Sequence, residues 1–103
     1  MIGLVVMLGT SCGDDSDSVP ECIDQLAETL SPNFCDNADL TLWSFNGRDV
    51  YCFNYGDCPD AGVVIYEEDC TRICSLFGLN GNTQCEGIQW DGNASLIETI
   101  YTF

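Results

Sequence analysis

Residues 40–54, LTLWSFNGRDVYCFN, decide which fold this chain can form. Residues 40–45 and 49–54 each follow the two-residue period of a β-strand, and both runs are rich in aromatic and aliphatic residues. Asn46-Gly47 lies between them, and both residue types tolerate the positive φ angles of a tight hairpin turn. The stretch predicts an antiparallel hairpin that is covered on one face and partly covered on the other.

A helix is predicted before this hairpin. Pro20 suits a first helical turn, Ser18 or Asp17 can cap it, and Ser31-Pro32 ends it because the residue before a proline disfavours helical geometry. Apolar residues recur between these limits at helical spacing, namely Ile23, Leu26, Ala27 and Leu30.

A strand and a second helix are predicted after the hairpin. Residues 62–66, GVVIY, form a short β-branched run that indicates a strand. Residues 67–78 begin with three acids and end in Gly78, which predicts a helix carrying Cys70, Ile73, Cys74 and Phe77. Residues 88–90 and 96–101 fit a last hairpin. The expected fold class is α+β, a small disulfide-stabilised domain with two short helices packed on a small antiparallel sheet.

The cysteine content points to disulfides rather than to a metal site. Eight cysteines occur in 103 residues, with no histidine and no CxxC pair, whereas zinc sites usually contain such pairs or histidines. Disulfides persist in oxidising compartments, so we expect an extracytoplasmic protein without metal or cofactor.

The N-terminus resembles a bacterial lipoprotein signal. An apolar run over residues 1–9 leads to Thr10-Ser11-Cys12, and the acidic stretch 13–18 is similar to the surface-export signal of Bacteroidetes-type lipoproteins. The resemblance implies that residues 1–11 are a signal peptide, that Cys12 is lipidated, and that residues 12–19 are a tether for a single domain of residues 20–103. It places the chain on the outer membrane, lipid-anchored at the cell surface. The alternative is an ordinary secretory signal, with Cys12 in a disulfide of a secreted protein.

Lipidation of Cys12 would leave an odd number of cysteines for disulfides. Three bridges then leave one cysteine free or paired between molecules. We expect Cys35 to pair with Cys52, each near a sheet edge, while the others form two bridges. The seven candidates are Cys22, Cys35, Cys52, Cys58, Cys70, Cys74 and Cys85.

Charge and missing residue types exclude several functions. The chain contains seventeen acidic residues and only two basic ones, Arg48 and Arg72. Its net charge of −15 repels nucleic acids and anionic lipid headgroups. Without histidine, neither Ser-His nor Cys-His nucleophile pairs can form, so we expect a non-catalytic protein. Four aromatic residues either pack in the core or form a contact surface for a glycan or a protein: Trp43, Tyr51, Tyr55 and Trp90.

Two further resemblances suggest the class of protein to which the chain belongs. Residues 43–51, WSFNGRDVY, followed by Cys58 and by residues 65–74, IYEEDCTRIC, resemble a family of uncharacterised small bacterial lipoproteins. This resemblance implies a surface lipoprotein whose protein or glycan partner is unknown, held at the membrane through its lipid.

The second resemblance is local and gives the alternative function. Residues 53–58, FNYGDC, and 67–74, EEDCTRIC, look like the C-terminal half of a Kunitz-type protease inhibitor. That resemblance implies that Asp36, directly after Cys35, would enter a protease pocket. An aspartate there suits a trypsin-like pocket poorly.

Overall fold

A single helix and an antiparallel sheet make up the structure, a computed structural model that describes residues 19–59, 61–78 and 81–103. The elements in chain order are α1 (Glu21–Leu30), a 3₁₀ turn (Ser31–Asn33), β1 (Asp39–Phe45), β2 (Arg48–Asn54), β3 (Val63–Glu67), β4 (Arg72–Leu76), β5 (Gln84–Cys85), β6 (Ile88–Gln89) and β7 (Ala94–Thr102). Five strands form one sheet in the order β4-β3-β2-β1-β7, and β5 pairs with β6 in a separate two-stranded hairpin.

The central hairpin is confirmed. β1 and β2 pair around Asn46-Gly47, whose φ angles are 54° and 78°, and Phe45 lies opposite Arg48. All four residues from Val50 to Phe53 are buried, because β2 is covered on both faces of the sheet.

Helix α1 is confirmed and covers one of these faces, here called the helix face. Ile23 and Ala27 are buried on it, and the carbonyl of Pro20 accepts the first helical hydrogen bonds. Pro20 therefore lies at the N-cap and not inside the first turn. The predicted caps Asp17 and Ser18 lie outside the described residues.

The prediction of two helices on a small sheet is wrong, since the described residues contain one helix and are mostly β-sheet. Residues 67–71 form a tight turn in which Cys70 has a φ angle of 70°, and a helix interior does not accommodate that angle. β4 follows and pairs with β3, with Cys74 opposite Ile65. Pairing along a whole neighbouring strand outweighs the local helical signals in this segment.

The expected hairpin between residues 88–90 and 96–101 is also wrong. Ile88–Gln89 pairs with Gln84–Cys85, whereas β7 pairs with β1 along the sheet. β7 thereby supplies backbone partners to β1, which would otherwise be the edge strand.

Two apolar clusters hold the layers together. The helix-face cluster has five buried members: Ile23, Ala27, Leu40, Tyr51 and Phe53. On the opposite face residues 81–94 lie over the sheet, and the second buried cluster consists of Phe45, Val50, Cys52, Ile65, Leu76, Cys85 and Trp90. The segment covers only part of this second face, and that partial cover positions the candidate site.

Candidate functional site

Three disulfides are present, and they account for six of the seven predicted cysteines. The pairs are Cys22–Cys70, Cys35–Cys58 and Cys74–Cys85, and Cys52 is free. Cys12 lies outside the described residues.

The expected pairing of Cys35 with Cys52 is wrong. Cys35 lies in the exposed loop before β1, where its N–H donates to the carbonyl of Tyr55, and this contact brings it beside Cys58. Cys52 is instead in the middle of β2 with its side chain in the core, beyond the reach of loop cysteines.

Cys70 and Cys74 bond different partners, which lie on opposite faces of the sheet. Cys70 joins α1 on the helix face through Cys22, whereas Cys74 joins β5 on the other face through Cys85. The two disulfides therefore fasten both outer layers to the same edge of the sheet.

The face of the sheet away from α1 carries a cleft with a volume of about 420 Å³. We call it the sheet cleft. Its apolar wall consists of Trp43, Val63, Phe77, Trp90 and Leu96. Its remaining lining is Asp39, Thr41, Cys52, Asn54, Asp91 and Thr99. The volume lies within the range of small-molecule sites, and a mostly apolar wall with a few polar groups is typical of them.

The two tryptophans of the chain form the centre of the apolar wall. Their ring centroids lie 5.3 Å apart at an interplanar angle of 55°, and Trp90 also packs on Phe45 at 4.8 Å. The indole nitrogen of Trp43 donates to the hydroxyl of Thr41 at 2.8 Å. The half-buried Trp43 ring is thus fixed by a packing contact and a hydrogen bond before any ligand arrives.

Large apolar side chains stay exposed at both ends of the cleft. Phe77, directly after β4, is 47% exposed, and Leu96 on β7 is 54% exposed. β4 and β7 are the two edges of the sheet, so the cleft extends across its whole width.

The polar end of the cleft contains side chains available to a ligand. Asp39 lies opposite Asn54 in the β1–β2 ladder. Asn54 accepts the N–H of Gly56 at 3.0 Å through its side-chain oxygen, and its amide N–H groups make no hydrogen bond with another described residue. Neither Asp39 nor Asp91 makes a side-chain hydrogen bond or ion pair with another described residue, and no basic residue lines the cleft.

The thiol at the cleft floor is not reactive. Cys52 is only 6% exposed, and burial raises the pKa of its thiol to about 12, although the hydrogen bond with Thr41 acts in the opposite direction. Nucleophilic cysteines require a lowered pKa, so the geometry does not make Cys52 a nucleophile.

The four aromatic residues for which the sequence left open core packing or a contact surface lie in different places. Trp43 and Trp90 meet in the sheet cleft, while Tyr51 is buried on the helix face and Tyr55 packs edge-on against Phe34. Sequence reasoning missed Asp39 and Asn54, although the two-residue turn at Asn46-Gly47 fixes the register that pairs them.

The acidic run Glu67-Glu68-Asp69 has structural roles. Glu67 ends β3 and forms an ion pair with Arg48 at 3.2 Å. The Asp69 carboxylate accepts the N–H of Thr71, and this hydrogen bond lowers its pKa. The run closes the β3–β4 turn, so the helix-start role expected from the sequence is wrong.

A second cavity, of about 370 Å³, lies between α1 and the end of β7. Its central polar groups satisfy one another, because the hydroxyl of Tyr101 donates to the carboxylate of Asp24 at 2.7 Å. It therefore offers fewer available groups than the sheet cleft. Among residues 19–59, 61–78 and 81–103 there is no group of three metal-binding side chains and no helix long and apolar enough to cross a membrane.

The fold and the cleft define a small disulfide-stabilised β-domain with one helix and an open, aromatic-lined site. The chain belongs to the family described as Domain of unknown function (DUF6970), whose model matches residues 29–102. No curated protein and no solved structure matches the chain. The matched residues include the whole sheet cleft.

Proposed function

We propose that the chain is an exported, lipid-anchored module that holds a ligand in the sheet cleft and does no chemistry on it. The cleft is the observation that carries this proposal. Its Trp43 ring is fixed in place and its Asp39 carboxylate has no partner among the described residues, which is the expected state of a preformed site awaiting a ligand.

The cysteine pairing supports a lipid on Cys12. Six cysteines of the described domain are in disulfides, and the seventh, Cys52, is buried in the core. No described cysteine is therefore available at the surface to form a disulfide with Cys12. A cysteine directly after small residues and an apolar run suits acylation better than a secretory signal followed by a disulfide.

The available chemistry supports a non-catalytic role. The chain contains no histidine, and the pKa of its one described free thiol is about 12. An activated nucleophile needs a base or a lowered pKa, and the cleft supplies neither to Cys52.

The anchor is tested by the intact mass of the chain purified from a bacterial envelope fraction. We expect a lipid-sized mass increment on a chain that begins at Cys12, and we expect its loss in Cys12→Ala. The matched control is Cys52→Ala, which removes a thiol from the core and leaves the increment unchanged. A chain without lipid in which Cys12 is disulfide-bonded would contradict the anchor and favour a secreted protein.

Ligand binding in the cleft is tested through the fluorescence of the two tryptophans, which both line it. The full chain is titrated with three classes of probe: neutral oligosaccharides, tetralysine and sulfated oligosaccharides. A saturable change with at least one class supports a binding module, and no change with any class contradicts it.

A protease inhibitor is the alternative function. Asp36 is exposed in a loop that the Cys35–Cys58 disulfide closes, and its carbonyl accepts the N–H of Asp57 at 2.8 Å. A loop held in this way suits insertion into a protease pocket. Stoichiometric inhibition of an acid-preferring protease that is lost in Asp36→Ala would establish it, and no inhibition across a broad panel would remove it.

A further inference from the structure

We infer that the ligand of the sheet cleft is an uncharged glycan, with one sugar ring stacked on Trp43 and with hydroxyl groups farther along the glycan bound by Asp39 and Asn54. This inference rests on the proposed function, because it names the ligand of the same site.

The apolar wall of the sheet cleft matches the face of a sugar ring in shape and chemistry. Trp43 is half-buried and held by Trp90 and by Thr41, so part of an aromatic ring is presented in a fixed orientation. Leu96, opposite Trp43 on β7, extends this apolar surface and is 54% exposed. A pyranose ring has an apolar C–H face that packs on such a surface while its hydroxyl groups point outward to polar partners.

A pair of polar side chains, Asp39 and Asn54, lines the same cleft farther along strands β1 and β2. Asp39 and Asn54 are direct cross-strand partners, so their Cβ atoms are separated by about 5 Å. The carboxylate only accepts hydrogen bonds, whereas the amide N–H groups of Asn54 donate them. A hydroxyl group both donates and accepts, so two neighbouring sugar hydroxyls satisfy both side chains at once.

The side chains of Asp39 and Asn54 fit the other ligand classes less well. An ammonium or guanidinium group would bind Asp39 but would leave the amide of Asn54 without an acceptor. A phosphorylated, sulfated or carboxylated ligand would face Asp39 and Asp91 in a cleft without a basic residue, on a chain with a net charge of −15. The observations thus favour an uncharged ligand rich in hydroxyl groups.

The extent of the cleft favours an oligosaccharide over a single sugar. The cleft runs from Leu96 on one edge strand to Phe77 beyond the other. Four spacings between five neighbouring strands amount to roughly 19 Å, which exceeds the length of one sugar ring.

The test uses the full chain in a detergent without a sugar headgroup and follows tryptophan fluorescence. The probes are neutral tetrasaccharides of glucose, mannose, galactose and N-acetylglucosamine, with tetralysine as the cationic comparison. We expect a saturable change with at least one tetrasaccharide. Because a neutral ligand releases no counterions, its affinity should stay constant between about 0.05 and 0.5 M NaCl.

Three variants locate the site. Asp39→Asn removes the carboxylate, and Asn54→Asp removes the amide donor while keeping the acceptor for Gly56. Each should weaken binding by about tenfold or more, as expected for the loss of a hydrogen bond between a half-buried side chain and the ligand. Asp49→Asn is the matched control, because it removes one carboxylate from β2 at a position that alternates onto the opposite face of the sheet from Asn54.

Three other outcomes would each overturn the inference, and the measurements distinguish them from one another. Saturable, salt-sensitive binding of tetralysine without any tetrasaccharide binding would overturn the glycan while leaving the binding module intact. Equal effects of Asp39→Asn and Asp49→Asn on tetrasaccharide binding would place the glycan outside the cleft. No change with any tetrasaccharide or with tetralysine would remove the glycan and count against the cleft itself.

Discussion

Cys52 lies directly opposite Thr41 in the ladder between β1 and β2, and both residues line the sheet cleft. Because the thiol is 6% exposed and its pKa is raised to about 12, almost no thiolate forms near neutral pH. We expect iodoacetamide to leave Cys52 unmodified in the folded protein and to modify it completely in urea. Peptide mass mapping after labelling in both states measures this, and labelling of Cys52 at equal rates in the two states would contradict it.

The same thiol makes stability depend on alkaline pH. The folded-state pKa is raised from the ordinary value of 9.0 to about 12, so the folded chain retains a proton that the unfolded chain loses between these values. The free energy of unfolding therefore has its full value below about pH 9 and falls as the pH rises towards 12, with a limiting slope of about 1.4 kcal/mol per pH unit.

Cys52→Ala isolates this contribution. Burial also raises the pKa of Tyr51, but that residue is present in both proteins and its effect cancels in the difference. Urea unfolding at a series of pH values should show a shallower alkaline decline for Cys52→Ala than for the unsubstituted chain. Parallel curves would mean that the thiol is ionised equally in the folded and unfolded chains.

Local signals explain what could be predicted of this fold. The hairpin follows from Asn46-Gly47 between two alternating runs, and the same turn places Asp39 opposite Asn54. Helix α1 follows from one apolar stripe that ends before a proline. These elements depend on residues close together in the chain, so the sequence contains most of the information that forms them.

The remaining elements depend on distant parts of the chain. Residues 67–78 combine helical signals with a strand position, and pairing with β3 decides the outcome. β7 pairs with β1 from about fifty residues away, and that pairing brings Leu96 beside Trp43. The segment that brings Trp90 to the cleft is held by the Cys74–Cys85 disulfide, whose pairing does not follow from spacing. The sequence therefore leaves open whether Trp43 packs in the core or forms part of a contact surface, and it does not reveal the rest of the cleft.

Removal of single disulfides should separate global stability from cleft geometry. Cys22–Cys70 closes a loop of 48 residues and Cys74–Cys85 one of 11, so chain entropy predicts losses of about 4 and about 3 kcal/mol when both partners are replaced by alanine. Urea unfolding measures both losses. The variant without Cys74–Cys85 should lose less stability than the variant without Cys22–Cys70 but show the larger change in tryptophan fluorescence. The reason is that Cys74–Cys85 fastens the segment that contains Trp90.

This prediction is contradicted if loss of Cys22–Cys70 alters the tryptophan emission of the folded protein more strongly than loss of Cys74–Cys85 does. That result would mean that α1, on the opposite face of the sheet, controls the position of the tryptophans.

Gly62 is a position at which an added methyl group should be tolerated poorly. Its φ angle is 67°, and the Cβ of an alanine there would overlap the carbonyl oxygen of Leu76 and lie 2.6 Å from the backbone nitrogen of Gly78. Gly47 has a similar φ angle of 78° but open space around it, so Gly47→Ala is a matched control for the backbone conformation alone. We expect Gly47→Ala to lower the free energy of unfolding by about 1 kcal/mol and Gly62→Ala by more than about 3 kcal/mol in urea unfolding. Equal losses would mean that the chain between β4 and Gly78 moves aside at no cost, and that this wall of the cleft is not held rigidly against the sheet.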